Sequence, residues 1–307
     1  MVEIGGLNKH QQHVVREKDR IKKSKDKSKK RKERNKSGLP KGIPHTLETL
    51  RHKDETFTNK SDQDLIAEHD NDEFTEIYQN NIIPKILVTH SDRCCPKTVS
   101  FCKEFSLVVP NTTFLARWHA SIKKLIPRAH DEGYSAIIIF GEDKKKINNA
   151  VITHLPAGPT FTFKITNVMR SREFRKSKGK DAKFEYDVIP QLLTLRFMTR
   201  VGLRVERSIG ALFPPDSRVE KPKGHNRTVV FHNQRDYIFF RHYRYQHRGG
   251  NDENDHLGER VITNEIGPRF TMKLLNIQQG TFDTKFGDFE WCRKRKDMDN
   301  SRRSFVL

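Results

Sequence analysis

Three arginines, Arg200, Arg204 and Arg207, stand at i, i+4 and i+7 within Thr199–Phe213, next to Val201, Val205, Ser208 and Leu212. On a helix this spacing makes two adjacent faces, one cationic and one suited to burial. A guanidinium presents paired donors, so an arginine row beside a buried face can grip a phosphate backbone. An ordinary solvated face, partly neutralised by Glu206, fits the same spacing equally well. A second set, Arg170, Arg172, Arg175, Lys176, Lys178, Lys180 and Lys183, lies in RSREFRKSKGKDAK with Gly179 and little apolar content. Such a loop can follow irregular RNA, with Phe174 offering a ring to an unpaired base. Its alternative is a surface loop without a ligand. A third set, Arg235–Arg248, interleaves Tyr237, Phe239, Phe240, Tyr243 and Tyr245 with Arg241, Arg244 and Arg248. A strand sends alternate side chains to opposite faces. Phe239 is expected inward, and Arg241, Tyr243 and Arg244 are expected to contact RNA.

Signals for catalysis are weak. The chain has neither GxGxxG nor GxxxxGK[ST], so nothing supports a nucleotide cradle. Cys94 and Cys95, with Cys102, raise a thiol nucleophile or metal site. No CxxC pair or second ligand pair at zinc spacing accompanies them. They read as small apolar residues at a strand–helix junction. His90, His154 and His242 adjoin expected strands and read as groups at the edge of the core. No catalytic residue, cofactor or metal is expected.

The elements that must hold these residues begin near Ile82. Lys85–His90 reads as a buried strand, and Leu115, Trp118, Ile122, Leu125 and Ile126 as the stripe of an amphipathic helix. Ala136–Phe140 reads as a second buried strand, turning at Glu142-Asp143-Lys144 into Ala150–His154. Gly158–Val168 (GPTFTFKITNV) recurs as Gly267–Ile277 (GPRFTMKLLNI). A candidate hairpin precedes each copy, Ile137–Phe140 with Val151–His154 and Val229–His232 with Tyr237–Arg241. Duplication follows. The expectation is a mixed α/β domain over 82–291, with halves at 82–168 and 188–290 and a basic connector at 169–187.

The 307 residues carry a net charge of +20, unevenly spread. Residues 1–36 contribute +9, 37–81 contribute −6, 82–291 contribute +13 and the tail 292–307 contributes +4. The part able to fold is itself basic, so polyanions are its expected partners. Residues 1–36 have too few apolar side chains for a core and read as an unfolded basic arm. Lys22, Lys23, Lys29, Lys30, Arg31 and Lys32 form a candidate nuclear or nucleolar address. Residues 37–81 read as an acidic linker, although Leu65, Ile66, Phe74, Ile77 and Tyr78 could dock. Four cysteines make no disulfide framework, and no apolar run approaches a membrane span. A soluble, intracellular protein without membrane contact is expected.

The segments KILVTH, HLPAGPTFTF, FMTRVGLRVERSIGALFP, FHNQRDYIFFRHYRY and GPRFTMKLLNIQQGTF together resemble the Brix family of ribosome-assembly proteins. One departure is Arg196 before Phe197, where the family often has an amide. The resemblance implies two α/β halves similar to anticodon-binding domains, a nucleolar location and binding to pre-ribosomal RNA. Non-catalytic service to the large (60S) subunit is implied, with other pre-60S factors and a dedicated protein partner. A small-subunit role within the family, or a protein scaffold with little RNA affinity, remains open from the residues alone.

Overall fold

The computed structural model describes residues 9–36, 44–46, 49–52, 56–58, 61–80, 82–117, 119–178, 188–218, 226–248, 260–282, 287–294 and 304–307. It divides into two units, 1–50 and 51–307.

In the first unit the arm is a 28-residue helix, α1 (Lys9–Lys36), where an unfolded segment was expected. Lysine, arginine and glutamate are good helix formers, and a His13–Glu17 pair spans one turn at 3.7 Å. Of its described side chains only Val15 is even half-buried, which agrees with the absence of a core.

The second unit opens on α2 (Gln63–Asp70) and α3 (Thr75–Gln79). The first half of the sheet domain comprises β1 (Ile86–His90), α4 (Pro96–Val108), β2 (Thr112–Phe114), α5 (Ile122–Asp131), β3 (Ala136–Asp143), β4 (Lys146–His154) and β5 (Thr160–Met169). After α6 (Ser171–Lys178), the second half comprises β6 (Gln191–Leu195), α7 (Arg200–Gly210), β7 (Arg227–Gln234), β8 (Tyr237–Arg248), β9 (Arg260–Glu265) and β10 (Arg269–Gln278). A last strand is β11 (Phe289–Cys292). All strands form one sheet, β2-β1-β3-β4-β5-β10-β8-β7-β6, with β11 also on β10 and β9 on β8.

Apart from the edge strand β2, the sheet order reads the same from both ends. In each half a strand lies parallel to the first arm of a hairpin, and the second arm meets a long strand antiparallel. Both hairpins turn on two residues at positive φ, Lys144 and Lys145 in one and Arg235 and Asp236 in the other. That backbone matches the twist of the paired strands. The repeated segments are β5 and β10, paired at the centre. Phe163 faces Leu274, Lys164 faces Lys273 and Ile165 faces Met272. Lys164 and Lys273 occupy the same position of the repeat, so a pseudo-two-fold axis passes between them. Each copy starts at a glycine with positive φ, Gly158 (101°) and Gly267 (73°), a conformation side-chain-bearing residues rarely adopt.

α4 and α7 cover one face of the sheet and share one core. Phe101 and Phe105 of α4 meet Phe240 and Phe270 of the other half, with Phe240 stacked on Phe270 at 4.4 Å. Aromatic pairs at such distances add about 0.5–1.5 kcal/mol each beyond burial. On the opposite face α5 covers the first half only, with Leu125 and Ala129 against Leu87, Ile137, Ile139 and Val151. The expected helix stripe therefore begins later than its spacing suggests. Leu115 is exposed after β2, Trp118 lies outside the described residues, and Ile122, Leu125 and Ile126 are on α5.

The acidic stretch, expected as a linker, is part of this unit. Leu65 and Phe74 are 4% and 1% exposed, and Phe74 stands edge-on to His154 at 4.7 Å. Residues 56–58 bridge to 198–200 beside the start of α7.

Candidate nucleic-acid interface

The arginine row is legible as a helix face and is already occupied. Thr199 caps α7, its hydroxyl accepting from the Gly202 N–H at 2.9 Å. This fixes the row against the acidic segment. Arg204 reaches Glu73 at 2.8 Å, Glu290 at 3.0 Å and Asp72 at 3.5 Å. Arg207 binds both carboxylate oxygens of Asp72 and lies 4.4 Å from the centre of the Tyr78 ring, whose hydroxyl donates to the Arg207 carbonyl. Arg200 pairs with Glu68. The row grips carboxylates of its own chain where phosphates were expected, because those carboxylates arrive on a segment anchored by Phe74.

The connector is helical at its start. Arg170 is 8% exposed and pairs with Glu173 at 3.5 Å, which removes it from the surface. Arg172 is exposed. Arg175, Lys176 and Lys178 belong to α6, with side chains outside the described residues, as are Lys180 and Lys183 entirely. Phe174 is half-buried against Gly267, and the Arg269 guanidinium stands 4.6 Å from its ring centre. One ring face is therefore taken. Of the address residues, Lys22, Lys23, Lys29, Lys30 and Lys32 are exposed on α1, and the side chain of Arg31 is outside the described residues.

β8 splits its candidates between faces. Ile238, Phe240 and His242 are fully buried toward α4 and α7. Phe239 is therefore on the opposite face, contrary to expectation, with Tyr237, Arg241, Tyr243 and Tyr245. Arg244 turns inward beside Arg227, its register partner, and leaves that group. The cause is the phase of the strand, since the pair Phe239–Phe240 allows either residue inside and Ile238 with His242 decides it. Arg241 donates to the carbonyls of Phe240 and Phe270 at 2.8 and 3.2 Å and lies 3.8 Å from Glu265, which also faces Arg269 at 3.6 Å. This face carries exposed Leu193, Leu195 and Tyr237 at its β6 and β8 positions, and Lys164 and Lys273 at the axis. Among the described residues no helix packs on it as α5 packs on the first half. Lys164, Lys273 and Arg269 were not among the residues singled out in the sequence, whereas Tyr237 was. The available signal was the lysine shared by both copies of the repeat, in the polar phase of the strand.

Among the described residues, Cys94, Cys102, His154 and His242 are shifted away from activation. Burial and then Glu142 push the Cys94 thiol up, and burial pushes Cys102 far up. Glu142 occupies the start of α4, accepting from the Cys95 N–H at 2.8 Å and the Thr98 hydroxyl at 2.6 Å. His154 meets Ser208 Oγ at 2.8 Å, and burial lowers its pKa to about 3. His242 Nδ1 donates to the Gly267 carbonyl at 2.7 Å, and burial lowers its pKa to about 4. Both are neutral parts of the core.

A duplicated α/β sheet with a central β5–β10 seam agrees with the match of residues 92–276 to the Brix domain. The chain belongs to the Brix domain family. It is 39% identical over 269 residues to "Ribosome production factor 1" of Danio rerio, spanning 87% of this chain and 76% of that protein. It is 38% identical over 268 residues to "Ribosome production factor 1" of Xenopus laevis, spanning 87% and 74%. A crystal structure described as a probable ribosomal biogenesis protein from Aeropyrum pernix K1 aligns with a TM-score of 0.44 and 18% identity, covering 62% of this chain and 96% of that one.

Proposed function

We propose that the chain is a non-catalytic ribosome assembly factor that holds pre-ribosomal RNA during formation of the large subunit, in the nucleolus. The observation that carries this is the uncovered sheet face of the second half, where Phe239, Tyr243 and Tyr245 alternate along β8 with Arg241, next to Lys164, Lys273 and Arg269. Rings and cations on a rigid sheet suit unpaired bases and their phosphates. Relatives named ribosome production factor 1 support the ribosomal setting. The α1 helix adds non-specific attraction, and Arg172 with the remaining connector cations extends the basic surface beside Phe174.

The test removes residues 1–50, which leaves the second unit whole. Affinity for pre-ribosomal RNA fragments is then measured against salt. The remaining unit is expected to bind, with log affinity falling linearly in log salt. No binding at low salt would favour a second reading, in which the face receives a partner protein. Exposed Leu193 and Leu195 are the observation that supports it. Crosslinking in cells, followed by sequencing of the bound RNA, tests the assignment to the large subunit.

A further inference from the structure

On the uncovered face the row through the pseudo-axis runs Asn149, Lys164 and Lys273 across β4, β5 and β10, and Lys273 reaches Tyr237 of β8. Lys164 and Lys273 are directly opposed across the seam. Like charges in that relation destabilise a sheet. Among the described residues neither has a carboxylate partner. Lys164 is exposed, and Lys273 Nζ rests 4.6 Å from the centre of the Tyr237 ring and 3.5 Å from its hydroxyl. Glu265, an acidic group on this face, is shared by Arg241 and Arg269. Flanking positions Thr166 and Thr271 are uncharged and paired with each other. The centre of the sheet thus holds two ammonium groups without a carboxylate partner among the described residues, fixed by the two strands of the seam, beside an exposed ring.

We propose that this row is a phosphate seat for single-stranded RNA, in which Lys164 and Lys273 hold one phosphate jointly and Tyr237 stacks the adjoining base. The phosphate removes the repulsion between the lysines and draws Lys273 off the Tyr237 ring, so the ring becomes available as the phosphate is bound. Duplication accounts for the pair, since one lysine per copy meets its counterpart only where the copies join. This rests on the RNA reading above and names the place on the domain where the strand crosses.

The full chain and a labelled 20-nucleotide single-stranded RNA without self-complementarity serve as the test. Lys164→Gln, Lys273→Gln and the double variant are compared with Lys22→Gln/Lys23→Gln, which removes two charges from α1. Because the slope counts phosphates neutralised and one lysine still neutralises the shared phosphate, the double variant should lose one increment of salt slope, about 0.7, and bind roughly fourfold more weakly at 0.15 M salt, with each single variant losing less. The same single variants should melt about 1–2 °C higher without RNA, because a repulsion is gone. A purely structural role for the lysines would not raise melting temperature and lower affinity together. Two results overturn the proposal while leaving RNA binding intact: a double variant that binds as the unaltered chain does, or one that loses two increments of salt slope, about 1.4. A photo-crosslinker at position 237 that captures protein and no RNA in cells also overturns it, in favour of a partner on this face. If the unaltered chain does not bind the RNA, the wider reading fails as well.

Discussion

Replacing Phe74 by alanine tests whether the acidic segment belongs to the fold. The ring is 1% exposed, edge-on to His154 at 4.7 Å and 5.3 Å from the Arg204 guanidinium. Truncating a buried phenylalanine costs about 3–5 kcal/mol, toward the upper end where the walls cannot collapse. Here one wall is the sheet and another is α7, so about 4 kcal/mol is expected. In a unit of this size that corresponds to a melting temperature lower by about 8–16 °C. The assay is urea unfolding of the full chain followed by circular dichroism, with a lower midpoint and an unchanged slope. Ile66→Ala on the same segment is the control, since Ile66 is 46% exposed and its loss should fall within about 0.5 kcal/mol. If Phe74→Ala cost less than about 1 kcal/mol, the segment would be a detachable linker. Arg200, Arg204 and Arg207 would then return as candidates for RNA.

With the segment docked, replacing Arg204 and Arg207 by serine should destabilise the chain by several kcal/mol, of order 3–5, because Asp72 is left buried without its partner. Salt dependence of RNA binding should stay unchanged, and a flatter slope would restore the row to the interface. Stability should fall with acidity. His154 and His242 have folded pKa values depressed below that of the unfolded chain, so their contribution is complete above about pH 6.5 and is lost as pH falls toward about 4 and 3. Each contributes about 1.4 kcal/mol per pH unit within that window, and His154→Gln should lower the slope between pH 6 and 5 in urea titrations by one such contribution. Gly158→Ala should cost more than Gly267→Ala when the two unfolding midpoints are compared. A Cβ on Gly158 meets Gly280 backbone at 2.5 Å, whereas on Gly267 its nearest contact is the Phe174 ring at 2.9 Å. Equal losses would mean that positive φ alone governs both sites.

The seam was legible because it is repeated. Phe161, Phe163 and Ile165 recur as Phe270, Met272 and Leu274 with the same alternation, and that alternation decides which face is buried. The hairpins followed from the same context. What a single sequence hides is the partner of a charge. Arg204 and Arg207 look like phosphate ligands until Phe74, more than a hundred residues away, carries Asp72 and Glu73 to them. Leu65, Phe74 and Tyr78 were visible as residues able to dock, but amid so many acids the segment read first as a linker. Phe239 and Phe240 are adjacent and chemically alike, so composition cannot say which is inside. Cross-strand partners settle it, and those appear only once the sheet is formed.

The β5–β10 pairing has a further meaning for how the chain is held together. It is the contact that two copies of one half would make as a symmetric dimer, with Phe101 and Phe105 of one half packed on Phe240 and Phe270 of the other. The connector therefore acts as a tether that raises local concentration, and the interface itself supplies the attachment. A chain cut between residues 179 and 187 would remain a heterodimer of its own halves.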